Sequence, residues 1–314
     1  KGLDLTRTKE ETVYRVLAAY LEVLTAKAYI SVADRGLADA REHQRLAEVA
    51  EGAGTGLTAD VLRAKVSVAA AEGGKVTAES RLELARRGLS LAMGEKDAPP
   101  VDVTGPPPGF PDVGTLEELQ GAAAKRSDLR AVSMRVANAG NNEDLRKSEY
   151  LPSLGLLGAY QLDAEKSPFE VDNRSWKIGV GLKWNVFDGL RRESGVSRAV
   201  SERRKAEEYY RGERDQAAYQ VAHAYLGIRE AERRAEIARA AVESAEEGMR
   251  LIRTRYENHI GRMIDVLDAQ AALDRARAEA VKAENDVRQS RARLMVASGT
   301  LLGWAVPERK ETRP

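Results

Sequence analysis

The chain has 314 residues, with 50 Lys and Arg against 49 Asp and Glu and a net charge of +1. Balanced charge leaves no strongly basic surface, so nucleic acid is not an expected partner. The absence of cysteine excludes disulfides and thiolate metal sites. Aromatics at 5% are few for a globular core, whereas a chain dominated by Ala, Leu, Glu and Arg favours long helices packed through narrow seams.

The opening segment, KGLDLTRTKEETVYRVLAAYL, soon enters a helical pattern. It shows no secretory leader, and no transmembrane helix is expected anywhere in the chain. Residues 1–94 read as a helical hairpin with its turn at EGAGTGLTADVL. Residues 95–126 form a linker and equatorial segment. Its EKDAPPVDVTGPPPGFPDVG stretch is too rich in Pro and Gly for helix. Within it, Val101–Val103 has the alternation of a short strand. TLEELQGAAAKR then opens with Thr115 and has Glu118 three residues later, the signature of a capped helix start. A further helix over residues 127–149 stops at Pro152.

Residues 150–188 change period. In SLGLLGAYQL, Leu154, Leu156, Gly158, Tyr160 and Leu162 point one way. After the polar stretch DAEKSPFEVDNRS comes SWKIGVGLKWNVFDG. Here Trp176, Ile178, Val180, Leu182, Trp184 and Val186 share one face, and Lys177, Gly179, Gly181, Lys183 and Asn185 the other. This predicts a β-hairpin with one apolar and one polar face. A half-buried hairpin packed on a helix fits that pattern. Strands of about 9–11 residues with tryptophans near both ends of the apolar face fit an outer-membrane span. Open strand edges are not tolerated in lipid, so several such hairpins would have to combine.

Residues 189–303 read as a second, longer helical hairpin, followed by a tail over 304–314. The outgoing seam runs Val221, Ala224, Ile228, Ala231, Ala235, Ala238, Val242, Ala245, Met249, Ile252, Tyr256. The returning seam runs Val266, Ala269, Leu273, Ala276, Ala280, Ala283, Val287, Leu294, Ala297. Steps of three and four are a coiled-coil pattern, and so many alanines imply close helix approach. A helix from about Arg192 to Glu257 would be about 100 Å long, which suits a tube or rod.

The chain repeats itself. YRVLAAYLEV from Tyr14 matches YQVAHAYLGI from Tyr219, and Asp60-Val61-Leu62 falls on Asp265-Val266-Leu267, both at an offset of 205 residues. Gly94 falls on Gly299 at the same offset. The offset places the counterpart of the 150–188 hairpin before residue 1, so a first hairpin is expected in sequence outside these residues. At the two turns, Asp60 and Asp265 lie near helix starts, where a carboxylate opposes the macrodipole. His43, His223 and His259 are scattered and read as surface residues rather than a ligand set. GVGLKWNVFDG lacks the spacing of a phosphate-binding loop. No nucleophile–base constellation is legible, so neither an enzyme nor a cofactor is expected.

YLPSLGLLGAY, WKIGVGLKWNVFDGLRRESGV, AYL and RYENHIGRMIDVLDAQAAL, in that order, resemble the second repeat of a TolC-like outer-membrane efflux channel. Residues 1–94 resemble the helical hairpin of that family's first repeat. The resemblance implies a mainly α fold with a membrane β-hairpin. Long coiled-coil hairpins would form a periplasmic tunnel below a trimeric outer-membrane barrel. It implies a passive exit duct of an efflux or type I secretion system, in the outer membrane of a Gram-negative bacterium. The implied partners are two further copies, outer-membrane lipid, a periplasmic adaptor (membrane fusion) protein and an inner-membrane pump.

By the same resemblance Asp265 and Asp268 form a pore constriction. Gly54, Gly56, Leu57, His259, Ile260, Gly261 and Arg262 form tips that meet the adaptor. Tyr160, Trp176, Ile178, Val180, Leu182, Trp184 and Val186 face lipid. His259 stands where a glycine is usual in the family. The alternative is a soluble coiled-coil or adaptor-like structural protein. An adaptor would need many more strands, and a rod would not need two tryptophans on one strand face.

Overall fold

The computed structural model describes residues 2–95, 101–105, 109–163 and 173–305. Most of the expected polar loop between the strands, parts of the Pro/Gly linker and most of the tail lie outside the described residues. The elements in order are α1 (Gly2–Gly52), α2 (Thr58–Met93), α3 (Leu116–Ala123) and α4 (Ser127–Ser148). They are followed by β1 (Ser153–Asp163), β2 (Asn173–Lys183), α5 (Arg191–Glu257), α6 (Met263–Ser298) and α7 (Leu301–Ala305). The chain divides into two compact units, residues 1–127 with 216–314, and residues 128–215.

The first unit packs α1, α2, α6 and the last part of α5. Every position of both seams predicted from the sequence is buried or half-buried. Ala235, Ala238 and Ala283 bring α5 and α6 together in mid-length. Near the turns, Ala47, Val61, Ala64, Met249, Met263, Val266 and Leu273 join all four helices in one apolar cluster. At the other end, Leu17, Leu21, Ala292, Met295 and Leu301 form a second. Small side chains between these clusters allow close approach, and bulky ones at the two ends supply most of the apolar burial.

Four expectations are corrected here. Val101–Val103 forms no strand. Val103 instead plugs an apolar cluster between α1 and α2, and its carbonyl accepts a hydrogen bond from Lys27 Nζ at 2.7 Å. Asp102 beside it takes Lys27 at 2.6 Å and Arg86 at 3.0 Å. With these groups already satisfied by helix side chains, the segment needs no strand partner. Secondly, α1 does contain an 18-residue window of mean hydropathy 1.4, apolar enough by composition to cross a membrane. The same helix gives Leu17, Leu21, Val23 and Ala26 to the interior of the unit, so its apolar run serves helix packing. The Thr115–Glu118 capping box forms as expected.

The third correction is His43, which is 2% exposed rather than on the surface. Its Nε2 lies 3.2 Å from Gln270 Oε1. The Gln270 amide nitrogen donates to Asp39 at 3.2 Å and to Asp274 at 3.0 Å. Gln270 Oε1 is therefore free to accept, and the imidazole donates from Nε2. Arg277 closes the network by donating to Asp39 at 3.3 Å and Glu246 at 3.2 Å. His223 and His259 are exposed, as expected.

In the second unit, α4 lies along the first part of α5. Glu143 is buried between them and takes Lys147 at 2.6 Å and Arg203 at 3.1 Å. β1 and β2 pair antiparallel, from Ser153 opposite Lys183 to Asp163 opposite Asn173. Pro152 has no N–H to continue the ladder, so pairing stops at Ser153. That ends β2 at Lys183 and leaves Trp184 and Val186, expected within the strand, outside it.

The buried network yields an expected pH response. Burial pushes the Asp274 carboxyl above its ordinary range, and the nearby Asp39 charge adds to the shift. The folded state holds this proton more tightly than the unfolded chain, so the residue favours folding as pH falls through the carboxylate range and opposes it above. Asp274→Asn keeps an oxygen for Gln270 and should raise the melting temperature at pH 7, with the gain vanishing near pH ~4. His43→Ala leaves Gln270 Oε1 buried and unpaired and should cost about 1–3 kcal/mol. Thermal unfolding followed by helix content checks both.

Candidate functional site

The hairpin separates two chemistries on one ribbon. Tyr160 pairs with Trp176, Leu156 with Val180 and Leu154 with Leu182, while Ile178 faces Gly158. Directly opposed residues share a face, so these side chains form one continuous apolar surface. Val180 is 70% exposed, and Leu154, Leu156, Tyr160, Trp176, Ile178 and Leu182 are at least as open or nearly so. That apolar surface is left open to solvent along its whole length. A hairpin half-buried against a helix, allowed by the sequence pattern, is not what forms. The opposite face carries Ser153, Gly155, Leu157 and Ala159 across from Lys183, Gly181, Gly179 and Lys177.

The strand-to-helix corner below the hairpin contains a cluster that the sequence reading did not single out. Asp188 accepts from Arg192 Nε at 3.1 Å, and both side chains are largely buried. Arg192 also donates to the Val186 carbonyl at 3.1 Å. Its guanidinium lies 5.0 Å over the Tyr150 ring, a cation–π contact. Trp184 stays at the hairpin base, its indole N–H donating to the Tyr150 carbonyl at 3.2 Å. Gly189 and Leu190 turn the chain into α5 with φ of 69° and 65°. The signal for this cluster was present in FDGLRR: a turn glycine, with Asp and Arg spaced i, i+4 around it.

The two helical turns are the second candidate site, and both lie in the first unit. Gly54 has φ 74° and His259 φ 61°, at equivalent places in the repeat. The hydrogen bonds match at the same offset. Thr55 and Gly56 donate to the Ala50 carbonyl. Ile260 and Gly261 donate to the Arg255 carbonyl. His259 thus takes the backbone shape of a glycine, which His tolerates better than branched residues do. A Cβ on Gly56 would stand 2.8 Å from Glu51 N, and one on Gly261 3.1 Å from Tyr256 N. Both glycines are required by close backbone approach.

After each turn a helix starts at an extended residue, Leu57 or Arg262. Three residues on, Asp265 accepts from the Arg262 backbone N–H at 3.4 Å and from its guanidinium at 3.1 Å. Those hydrogen bonds hold the Asp265 carboxyl below its usual range. Asp60, its counterpart, pairs instead with Arg63 at 3.0 Å. Asp268 occupies the position of Arg63 in the repeat and is exposed, with no ion pair among the described residues. Leu57 and Ile260 project as exposed apolar groups beside the turns. Among the described residues no cluster of His, Cys, Asp and Glu could hold a metal ion.

Comparison with known proteins agrees with this architecture. The chain is 26% identical to protein CyaE of Bordetella pertussis over 298 residues, covering 93% of this chain and 63% of that protein. It is 25% identical to outer membrane efflux protein BepC of Brucella suis, covering 95% and 65%. The chain therefore spans just under two thirds of the length of these curated relatives. A membrane protein from Pseudomonas aeruginosa superposes with a TM-score of 0.79 at 23% identity, covering 95% of this chain and 70% of the other, which shows the fold. The model of the outer membrane efflux protein family matches residues 119–300, more than half of the sequence, and the chain belongs to that family.

Proposed function

We propose that this chain forms part of a homotrimeric outer-membrane channel, the passive exit duct of a tripartite efflux or type I secretion system in a Gram-negative bacterium. In this reading the 150–188 hairpin spans the membrane. The helical hairpins of 1–94 and 189–303 build a periplasmic tunnel, joined through the 95–126 linker and the 127–149 helix. A periplasmic adaptor and an inner-membrane pump engage the tips, through Gly54, Gly56, Leu57, His259, Ile260, Gly261 and Arg262. The duct does no chemistry on its cargo, so it is not an enzyme and needs no cofactor.

The observation that carries this reading is the unpartnered apolar face of the hairpin. A two-stranded ribbon is marginal in water even with polar faces. This one exposes Leu154, Leu156, Tyr160, Trp176, Ile178, Val180 and Leu182 together. In hydrocarbon that face is stabilised, but free strand edges are not, so hairpins must close into a barrel. A soluble coiled-coil rod or adaptor offers no such cover. Trp176 with Tyr160 at one end, and Trp184 at the base, fit aromatic girdles at two interfaces. The tips supply a candidate constriction. Three copies of Asp268 about an axis would attract cations, while Asp265 is held by Arg262 as part of a helix start.

Val180 lies near mid-strand on the apolar face. Val180→Arg should cost about 2–4 kcal/mol if that face meets lipid, seen as loss of trimers from outer-membrane fractions, whereas Lys183→Arg should assemble normally. Unchanged assembly of Val180→Arg would refute a lipid-facing strand. At the tips, trivalent cations added from the periplasmic side should block single-channel current. Asp268→Asn should remove most of that block and Asp265→Asn little of it, because only the first charge is uncompensated. Equal block in all three proteins would rule out an acidic constriction here.

A further inference from the structure

At the foot of the hairpin, on its polar face, α4, the ends of both strands and the start of α5 enclose a groove of about 1000 Å³. All of it lies in the second unit. Its walls carry five cations, Arg146, Lys183, Arg191, Arg192 and Arg198, against three carboxylates, Glu149, Asp188 and Glu202. Two of the carboxylates are already committed: Glu149 pairs with Arg146 at 2.8 Å and Asp188 with Arg192 at 3.1 Å. That leaves Lys183, Arg191 and Arg198 facing the groove with Glu202 alone to oppose them, and none of these three cations has an ion-pair partner among the described residues. Ser194 and Asn185 add groups able to donate hydrogen bonds. Farther up the same face stands Lys177, also exposed.

An excess of unpaired cations around a concave groove raises the local concentration of anions. Arginine and lysine together suit phosphate and carboxylate oxygens, the first by forked hydrogen bonds and the second as a point charge. Ser153 and Lys183 place the groove on the polar side of the ribbon, away from the apolar face.

We propose that this groove is a binding station for multivalent anions, phosphate- or carboxylate-bearing solutes, on the lumen wall where barrel meets tunnel. The inference rests on the channel reading, which makes the polar face of the hairpin the lumen side. In a trimer the station would be repeated three times around the axis. Solutes bearing phosphate or carboxylate groups would be concentrated there by charge.

The test is current through trimers of the intact protein in planar bilayers, with inorganic pyrophosphate as probe. Pyrophosphate should reduce the current of the native channel, and Lys183→Gln/Arg191→Gln/Arg198→Gln should raise the half-blocking concentration about tenfold or more. The charge-keeping Arg191→Lys/Arg198→Lys should retain block, and single Lys183→Gln and Arg198→Gln should each weaken it, so that poor assembly of the triple variant leaves the test intact. Native channels that conduct but are not blocked, or block that is equal in the neutral variants, would overturn the anion station while leaving the duct standing. Native trimers that carry no current would overturn the duct itself. Block that appears only in bilayers lacking anionic lipid would assign the groove to a lipid headgroup phosphate and overturn its place on the lumen wall.

Discussion

Close helix approach through alanine is the constraint from which the first unit follows. Ala235, Ala238 and Ala283 meet where a globular protein would place Leu or Phe. An alanine contact lets two backbones come near but removes little apolar area from water, at about 25 cal/mol per Å². Stability must then accumulate along the length of the helices, and α5 accordingly runs for 67 residues. The surface ion pairs that decorate these helices add little individually. Larger side chains are concentrated near the turns and at the far end, which fixes the register of the seams between them.

The duplicated turn shows how one backbone solution is kept while side-chain chemistry diverges. Gly54 and His259 adopt the same left-handed conformation, and Gly56 and Gly261 both permit a tight return of the chain. Around that common frame the charges are rearranged. In the first copy Asp60 is neutralised by Arg63, from one turn ahead on its own helix. In the second, Asp265 is neutralised by Arg262 at the helix start, and the position of Arg63 is taken by Asp268. The repeat therefore supplies one turn without a free carboxylate in its first helical turns and one with Asp268, an asymmetry that a symmetric tip would not need.

The hairpin poses the opposite problem, since it has no core of its own. Its apolar face is continuous because opposed residues match across the register, and its polar face carries spaced lysines. What holds such a ribbon at a fixed angle is the corner beneath it. Arg192 touches Asp188, the Val186 carbonyl and the Tyr150 ring at once, tying both ends of the hairpin to the first turn of α5. The cationic groove opens beside this clamp, so the residues that set the ribbon's angle also shape the wall that faces anions.

Much of this was written in the one-dimensional pattern. Period-3.5 spacing determined the seams, the change to period 2 determined the strand faces, and the 205-residue offset determined which turn residues are equivalent, because periodicity alone decides which side chains share a face. Other features depended on partners distant in sequence. Nothing local to His43 or Asp274 distinguishes a buried polar network from solvent-facing helix residues; α1 and α6 must first pack. Val101–Val103 looked like a strand until Lys27 and the α1–α2 groove claimed it. Trp184 had the alternation of a strand residue, but Pro152 across the ladder ended the pairing one residue earlier. Lys183, Arg191 and Arg198 are ordinary basic residues in the sequence, and only the fold of α4, hairpin and α5 puts them around one groove. Sequence sets which way each residue faces along its own element. Tertiary structure decides what it meets, since burial and charge pairing belong to neighbours that the chain brings together only after it folds.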